Sequence, residues 1–599
     1  MMTMKWKPVV LKFLLVFALS ALCGFYAFVR QGRPNTGIDD ADIFMVYGKN
    51  LAQGHGFVYN IGDERVEGFS SLLYVILVAA FFKLTKNPEH LILLFNLVAV
   101  ALALTAIVNR IDKLEKPPGT GAVTKRPFLS LASMVFLVWT FSSPAYITWT
   151  TFTLMDTGLW SALLLCFCLI TSLSLSSRSL KHRFLASLVI VLMVLARPEA
   201  LFWIPVVLLF FSLVLLWRER KLKPVYAFSF VPVTVFLLTT ALLILFRITY
   251  FGYPLPNTYY TKVSPNILYN LYLGLEYFHA FATSSNFLRL ATAAIVLSVF
   301  VSFNKIREKK LPESNRFLLA VSFFVIVGLF VPITYGGDYF DWFRFYQPVW
   351  PLMVIPLFWP FKHRIEKYMH SPSGVSRLQW GLTGALAILF SLEANPSWYK
   401  WSDTNLTLFH EFTIARDGRR LGDAMNQVFD GIACPDVGVI TAGGVKYTYQ
   451  GKIVDLMGLN NLAMAHHSGD RYGIKNHASF NKEVFYRQVP RVMVPVVVDN
   501  PAVESPYDND RWWDATLKGL LREDAFHSQY TLVNLKKLSS SDAVRLCAYI
   551  RNDYLLTLKN SGAYKILTKT EAKPVPETAA SGCLSCVGTF SVREVKRYP

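Results

Sequence analysis

The chain has 599 residues, of which 53% are hydrophobic, and a formal net charge of +20. A soluble domain needs only about 45–50% apolar residues, whereas many apolar runs here reach about 17–22 residues, the length that crosses a hydrocarbon core. The basic residues cluster in short loops between these runs, which is the positive-inside pattern and argues against nucleic acid as a partner. We therefore expect a polytopic, α-helical membrane protein embedded in a lipid bilayer.

The first apolar segment, residues 8–30, is longer than the h-region of about 7–15 residues found in signal peptides, so we predict an uncleaved first helix. An acidic segment, residues 31–69, follows it. The next apolar stretch, 70–84, is short and ends near Lys83 and Lys86. We predict an interfacial helix there, because a crossing at this point would turn the later basic loops outward.

The remaining apolar segments complete a prediction of about eleven membrane spans. The spans are predicted at residues 8–30, 89–109, 128–146, 158–177, 184–196, 199–217, 226–247, 286–303, 316–334, 347–361 and 377–393. This arrangement places five basic loops in the cytoplasm, with the N-terminus inside and the C-terminus outside. Residues 1–393 then form a transmembrane domain whose first outer loop, 31–88, carries interfacial helices.

Residues 394–599 are no longer membrane-like and predict a C-terminal α/β domain on the outer face of the membrane. Strand patterns occur at Val437–Thr441, Lys452–Leu456, Arg491–Val498 and Tyr530–Leu535, and helical patterns at Arg419–Phe429 and Ser540–Asn552. The sequence leaves open whether Cys434 pairs with Cys547. Cys583 and Cys586 are predicted to form a disulfide or to remain idle thiols.

The first polar motif on the outer side is the adjacent pair Asp39 and Asp40. A carboxylate near the membrane can take the proton of a hydroxyl nucleophile, and repulsion with partial burial can raise one pKa of the pair. The alternative is a structural role in which one of them caps the helix that begins near Ala41. We favour Asp39 as the reactive carboxylate and Asp40 as the cap.

Three further charged or polar residues lie in outer loops of the first 200 residues. Glu67 could hydrogen-bond a sugar hydroxyl, whereas His55, between two glycines, is more typical of a turn residue than of a catalyst. Arg197 is followed by Pro198 and Glu199. It is either paired with Glu199 or available to a lipid phosphate.

Two later outer loops supply candidate phosphate ligands. Lys262 ends a segment of aromatic and amide side chains that suits carbohydrate, although an aromatic belt at the membrane interface has the same composition. Arg344 lies directly above a predicted span, where it could bind phosphate with Asp338 orienting it, or extend to the headgroups.

These motifs occur in a characteristic order. The order is Asp39-Asp40-Ala41, Gly54-His55-Gly56, Arg65-Val66-Glu67-Gly68-Phe69, Pro254-Leu255-Pro256-Asn257-Thr258-Tyr259-Tyr260-Thr261-Lys262 and Gly336-Gly337-Asp338. Together they resemble GT-C glycosyltransferases that use polyprenyl-phosphate sugars, and look closest to the mycobacterial terminal arabinofuranosyltransferases and their proteobacterial relatives. The resemblance covers about residues 8–393 and continues at 454–460 and 466–477.

The resemblance implies an inverting enzyme that moves a sugar, arabinofuranose in those relatives, to a glycan, lipid or protein acceptor on the periplasmic face of a bacterial cytoplasmic membrane. It implies Asp39 or Asp40 as the general base and Arg197, Lys262 and Arg344 as donor-phosphate ligands. Sugar or acceptor contacts are expected from Glu67, His55, Asn257, Tyr259, Asp338, His466 and His477. Asp156 stands where the family has a glutamate, so the donor could instead be a mannose-type hexose.

We predict no metal site. The outer carboxylates allow a divalent cation without requiring one, and the spacing of the histidines at 466, 467 and 477 matches no standard zinc site. Two other functions compete with glycosyl transfer. A transporter or flippase for a lipid-linked sugar predicts charged or broken helices at mid-bilayer, and a scaffold that binds cell-wall polymer predicts no role for Asp39 and Asp40.

Overall fold

The computed structural model describes residues 7–30, 35–115, 128–177, 179–284, 312–340, 342–359, 381, 384–385, 407–468, 471, 473, 475–498, 511–538 and 544–568. The helices before residue 360 are Lys7–Arg30, Asp39–Ala52, Leu72–Leu84, Glu89–Leu114, Leu131–Ser142, Pro144–Ile147, Thr157–Ser176, Leu180–Ala196, Ala200–Glu219, Leu222–Phe251, Asn257–Lys262, Ile267–Thr283, Glu313–Thr334 and Val354–Phe358. A π-helix covers Thr148–Phe152 and a 3₁₀ helix covers Arg344–Leu352.

Six of the described helices are long and apolar enough to cross a membrane. They are Lys7–Tyr26, Glu89–Leu114, Thr157–Ser176, Ala200–Glu219, Leu222–Phe251 and Glu313–Thr334. Each coincides with a predicted span. The helix predicted at 184–196 is also present, as Leu180–Ala196, but with 17 residues it is shorter than the six. The described residues therefore indicate a multi-pass membrane protein.

Two predicted spans are interrupted. The one at 128–146 is a pair of helical pieces bent by 74°, with Pro144 opening the second piece, and it counts as a seventh span if the pair crosses as one. The one at 347–361 begins in the 3₁₀ helix Arg344–Leu352, which contains Pro348 and Pro351. A regular α-helix is disfavoured there because proline lacks the backbone N–H that an α-helix requires. Residues 286–303 and nearly all of 377–393 lie outside the described residues.

The apolar stretch predicted at 70–84 forms the helix Leu72–Leu84. Its 13 residues extend about 20 Å, which is short of a hydrocarbon core of about 30 Å. The helix packs closely on Asp39–Ala52, here called the acidic helix. A Cβ on Gly48 of the acidic helix would lie only 2.4 Å from Cγ1 of Val78, so glycine permits this approach. Its placement in the membrane interface stays a prediction.

Residues 407–568, here called the C-terminal region, contain a six-stranded sheet in the order β2-β1-β3-β5-β4-β6. The strands are β1 Val437–Val439, β2 Ile453–Asp455, β3 Val492–Val497, β4 Tyr530–Lys537, β5 Leu546–Arg551 and β6 Tyr564–Thr568. The first three run parallel, and β5, β4 and β6 join antiparallel. The helices are Thr407–Val428, Gly443–Thr448, Leu462–Ala465, Lys482–Gln488, Arg511–Thr516, Asp524–Gln529 and Asn552–Asn560, with a 3₁₀ turn at Leu520–Arg522.

The strand predictions in this region are confirmed for β1 to β4, and the helix predicted at Arg419–Phe429 is part of Thr407–Val428. The helix predicted at Ser540–Asn552 is wrong, because β5 occupies Leu546–Arg551 between β3 and β4. The first five residues of β5 are all buried, and periodicity cannot distinguish such a continuous apolar run from a buried helix. Cys434 and Cys547 form no disulfide, and Cys583 and Cys586 lie outside the described residues.

The C-terminal region packs directly on the acidic helix. Arg419 donates hydrogen bonds of 2.8 and 2.5 Å to the carboxylate of Asp42 and one of 2.8 Å to Glu89. Its guanidinium also lies over the ring of Tyr447, 4.1 Å from the centroid. The acidic helix is therefore held between the helix Leu72–Leu84 and two helices of the C-terminal region, Thr407–Val428 and Gly443–Thr448.

Candidate functional site

The candidate site centres on Asp40, in the first turn of the acidic helix. Its Oδ2 lies 3.5 Å from Nζ of Lys262 and 3.8 Å from a terminal nitrogen of Arg344. These separations exceed the roughly 2.7–2.9 Å of a tight charge-assisted hydrogen bond, so neither cation is saturated by Asp40. The side chains of Asp40 and Lys262 are 22% and 23% exposed, which leaves both accessible to a ligand.

The ionisation of Asp40 is set by opposing effects. Burial alone would raise the pKa of the Asp40 carboxyl. The combined effect of Lys262, Arg344 and His477 lowers this pKa by more than burial raises it, so the pKa lies below its ordinary value. Asp40 is therefore ionised at neutral pH. Asp40 is thus an ionised, partly exposed carboxylate beside two cations. When a bound anion pairs with those cations in its place, such a carboxylate can accept a proton from a bound hydroxyl group.

Arg344 is nearly buried and held from several sides. Its Nε forms a 2.7 Å ion pair with Oδ2 of Asp338, the residue proposed from the sequence to orient it, and its guanidinium lies 4.6 Å from the ring centroid of Phe340. Trp342 and Phe343, just before it, have φ angles of +63° and +51°. A left-handed backbone conformation at a non-glycine residue costs about 1–3 kcal/mol of conformational free energy, so the surrounding packing must stabilise it at both positions. This backbone conformation fixes the direction in which Arg344 leaves the chain.

The role favoured for Asp39 does not agree with its position. Its two carboxylate oxygens accept hydrogen bonds of 3.0 and 2.8 Å from the backbone N–H groups of Gly443 and Gly444 in the C-terminal region. Burial raises the pKa of Asp39 to about 7 despite these two bonds. The cap prediction is wrong as well, because the N-cap residue is Ile38 and no side chain caps the helix. Asp40, and not Asp39, faces the cations.

A further carboxyl group, which the sequence interpretation missed, belongs to the same cluster as Asp40 and Asp338. Glu411 lies on the helix Thr407–Val428 and accepts a 3.0 Å hydrogen bond from the hydroxyl of Tyr339. Burial, with Asp40 and Asp39 nearby, raises the pKa of Glu411 to about 8. At neutral pH the site thus combines the ionised carboxylate of Asp40 with the largely protonated carboxyl group of Glu411. No local signal distinguishes Glu411 from the other polar residues of an amphipathic helix.

Replacing Glu411 by glutamine is expected to stabilise the protein at alkaline pH. The folded-state pKa of about 8 exceeds the ordinary value of 4.5, so the stability that the protonated carboxyl contributes is full below pH 4.5 and is lost as the pH rises to about 8. Glutamine mimics the protonated form and can still accept from Tyr339. Melting temperatures at pH 5 and pH 8.5 check this: the variant should exceed wild type only at pH 8.5, and equal curves at both would contradict it.

Arg197 is paired with carboxylates of its own chain. It contacts Glu199 at 2.9 Å, the pairing that the sequence offered as an alternative, and Asp156 at 3.1 Å. Arg197 and Arg344 nevertheless line one small cavity with Tyr335. Asp156 and Glu199 already neutralise the charge of Arg197. Its predicted role as a phosphate ligand is therefore supported only by its position in the cavity that Arg344 also lines.

Four of the predicted sugar or acceptor contacts lie elsewhere. Glu67 is buried in an ion pair with Arg247 that uses both carboxylate oxygens. The sequence interpretation missed Arg247, which lies near the end of the apolar helix Leu222–Phe251. The side chain of Asn257 donates to the backbone carbonyls of Gly458 and Leu459 at 2.7 and 3.0 Å. His55 is exposed in a turn, and Tyr259 is 43% exposed. Glu67 and Asn257 therefore hold loops together in this structure.

The two predicted histidines of the C-terminal region occupy different surroundings. His466 stacks on Tyr253 with a centroid separation of 3.7 Å and hydrogen-bonds the side chain of Asn257. His477 lies edge-on to Tyr339 at 4.9 Å, and burial lowers its pKa to about 4, so it is neutral at pH 7. Only His477 belongs to the Asp40 cluster. Within the described ranges, no three His, Cys, Asp or Glu side chains are grouped as metal ligands.

No protein-family model and no curated protein sequence matches this chain.

Proposed function

We propose that the protein is a GT-C-type glycosyltransferase that moves a sugar from a polyprenyl-phosphate donor to an acceptor hydroxyl of a cell-envelope glycan, lipid or protein. The observation that carries the proposal is the contact of the partly exposed carboxylate of Asp40 with Lys262 and Arg344. The ordered motifs of the sequence support the same function. A transfer from lipid phosphate needs a base, cations for the leaving phosphate and no nucleotide site.

In the proposed reaction, the acceptor oxygen attacks the anomeric carbon of the sugar while Asp40 takes the hydroxyl proton. The bond from that carbon to the phosphate oxygen breaks, and polyprenyl phosphate leaves with the electron pair. Lys262 and Arg344 stabilise the charge that develops on the leaving phosphate. Attack opposite the leaving group inverts the configuration at the anomeric carbon.

Donor binding would also activate the base. In the free protein Lys262 and Arg344 hold the pKa of Asp40 low against the effect of burial. A phosphate that draws these cations away removes this stabilisation and adds a negative charge nearby, and both effects raise the pKa of Asp40. The carboxylate is then a stronger base when the donor is in place than when it is absent.

The proposed setting is a bacterial cytoplasmic membrane, crossed about eleven times, with the N-terminus in the cytoplasm and the C-terminal region in the periplasm. The support is the charge of the loops between apolar segments and the six or seven described helices that are long enough to span. In this setting the Asp40 cluster meets donor headgroups at the periplasmic surface of the cytoplasmic membrane.

The test is transfer by the purified full-length protein in lipid nanodiscs. Polyprenyl-phosphoryl arabinose and polyprenyl-phosphoryl mannose are supplied with candidate glycan, lipid and protein acceptors, and we expect release of polyprenyl phosphate with one of them. Absence of transfer with every donor would contradict the proposal. Movement of an intact lipid-linked sugar across the membrane of protein-containing vesicles would favour a flippase instead. Binding of cell-wall polymer that persists when both Asp39 and Asp40 are replaced by asparagine would favour a scaffold.

A further inference from the structure

Three consecutive residues of the C-terminal region, Lys475, Asn476 and His477, contact the two segments that carry Lys262 and Arg344. The sequence interpretation assigned only an acceptor contact to His477. The described contacts instead connect these residues to the segments that carry the proposed phosphate ligands.

Lys475 joins the two segments directly. Its Nζ donates a 3.3 Å hydrogen bond to the backbone carbonyl of Lys262 and a 3.1 Å hydrogen bond to that of Tyr335. Gly336 leaves space for this ammonium group, since a Cβ there would lie 2.6 Å from Nζ. A single side chain thus sets the separation between the backbone that bears Lys262 and the start of the loop that leads to Arg344.

Asn476 acts on the Arg344 side. Its Nδ2 donates a 2.8 Å hydrogen bond to Oδ1 of Asp338, whose Oδ2 forms the ion pair with Arg344. Asn476 has a φ of +68°, a conformation that asparagine tolerates better than most residues. His477 then packs edge-on against Tyr339, next to Asp338. The orientation of Arg344 therefore depends on a side chain of the C-terminal region.

We propose that Lys475 and Asn476 are positioning residues for the donor phosphate, so that the C-terminal region completes the donor site. This inference rests on the proposed function, because it assumes that Lys262 and Arg344 bind the phosphate. A phosphate held by two cations is sensitive to their separation, and a displacement of about 1 Å at a reacting group is enough to affect catalysis strongly. Neither Lys475 nor Asn476 needs to touch the donor for this effect.

The experiment measures binding of decaprenyl phosphate to the full-length protein in detergent, with uncharged decaprenol as the reference ligand. Lys475→Met removes both hydrogen bonds of the ammonium, and Asn476→Gly removes the amide without straining the left-handed backbone. Lys475→Arg keeps a donor group of the same charge. Lys482→Met is the matched control, because Lys482 pairs with Glu523 at 2.5 Å within the C-terminal region.

Lys475→Met and Asn476→Gly are each expected to weaken decaprenyl phosphate binding about tenfold, the lower end of what loss of a supporting hydrogen bond costs in metal sites. Decaprenol binding should not change, Lys475→Arg should recover most of the affinity, and Lys482→Met should match wild type. A general loss of folding would weaken both ligands alike and would overturn the positioning role.

The inference and the proposed function fail in different ways. If Lys262→Met and Arg344→Met weaken phosphate binding but Lys475→Met and Asn476→Gly do not, the positioning role is overturned and the function stands. If the wild-type protein binds decaprenyl phosphate no better than decaprenol, the phosphate site itself is overturned, and the positioning role with it.

Discussion

Asp40→Asn is expected to lower kcat for sugar transfer by about 10²- to 10⁴-fold, the usual contribution of a general base. Asparagine has nearly the same shape but cannot accept the hydroxyl proton. Asp40 is partly exposed, and its contacts with Lys262 and Arg344 are long. The melting temperature should therefore change little, and rates of polyprenyl phosphate release measured at saturating donor and acceptor check the loss.

The matched control for Asp40 is Asp417→Asn. Asp417 is also an aspartate in an ion pair, with Arg416 at 3.1 Å, but its side chain is 42% exposed on the C-terminal region. Its replacement should leave kcat unchanged. Asp39→Asn should act mainly on stability, because Asp39 accepts from the backbone N–H groups of Gly443 and Gly444. Equal activity of Asp40→Asn and wild type would exclude Asp40 as the base.

Arg419→Met is expected to destabilise the folded protein by about 3–5 kcal/mol, the cost of leaving a buried charge without its partner. The Asp42 side chain is 0% exposed and Glu89 only 14% exposed, and Arg419 contacts both. Thermal unfolding, together with limited proteolysis of the C-terminal region, measures the effect. We expect a lower melting temperature and faster cleavage, because the acidic helix loses the ion pair between Asp42 and Arg419 that joins it to that region.

Two comparisons isolate the charge effect at Arg419. Arg416→Met, three residues earlier on the same helix, removes an exposed ion pair and should change the free energy of unfolding by less than about 0.5 kcal/mol. The double variant Arg419→Met, Asp42→Leu should be less destabilised than Arg419→Met alone, because no unpaired aspartate remains at position 42. A single variant as stable as wild type would show that the pair contributes little.

Some elements of the fold are readable from local patterns. The six long apolar helices and the strands β1 to β4 follow from hydrophobic runs and alternation, which are properties of short windows of sequence. The strand Leu546–Arg551 is not readable in the same way, because its identity depends on its neighbours β3 and β4. By contrast, the break in the bent pair at residues 131–152 coincides with a local signal, because Pro144 opens its second piece.

The sequence by itself determined that apolar helices dominate the chain and that sheet patterns follow them, and it predicted Asp39, Asp40, Lys262 and Arg344 on the same side of the membrane. Only the tertiary structure decided which aspartate faces those cations. The carboxylate of Asp40 meets Lys262 across 222 residues of chain, while that of Asp39 meets Gly444 across 405. Hydropathy is set locally, but a charge pair depends on how remote segments pack, and no spacing of residues encodes that packing.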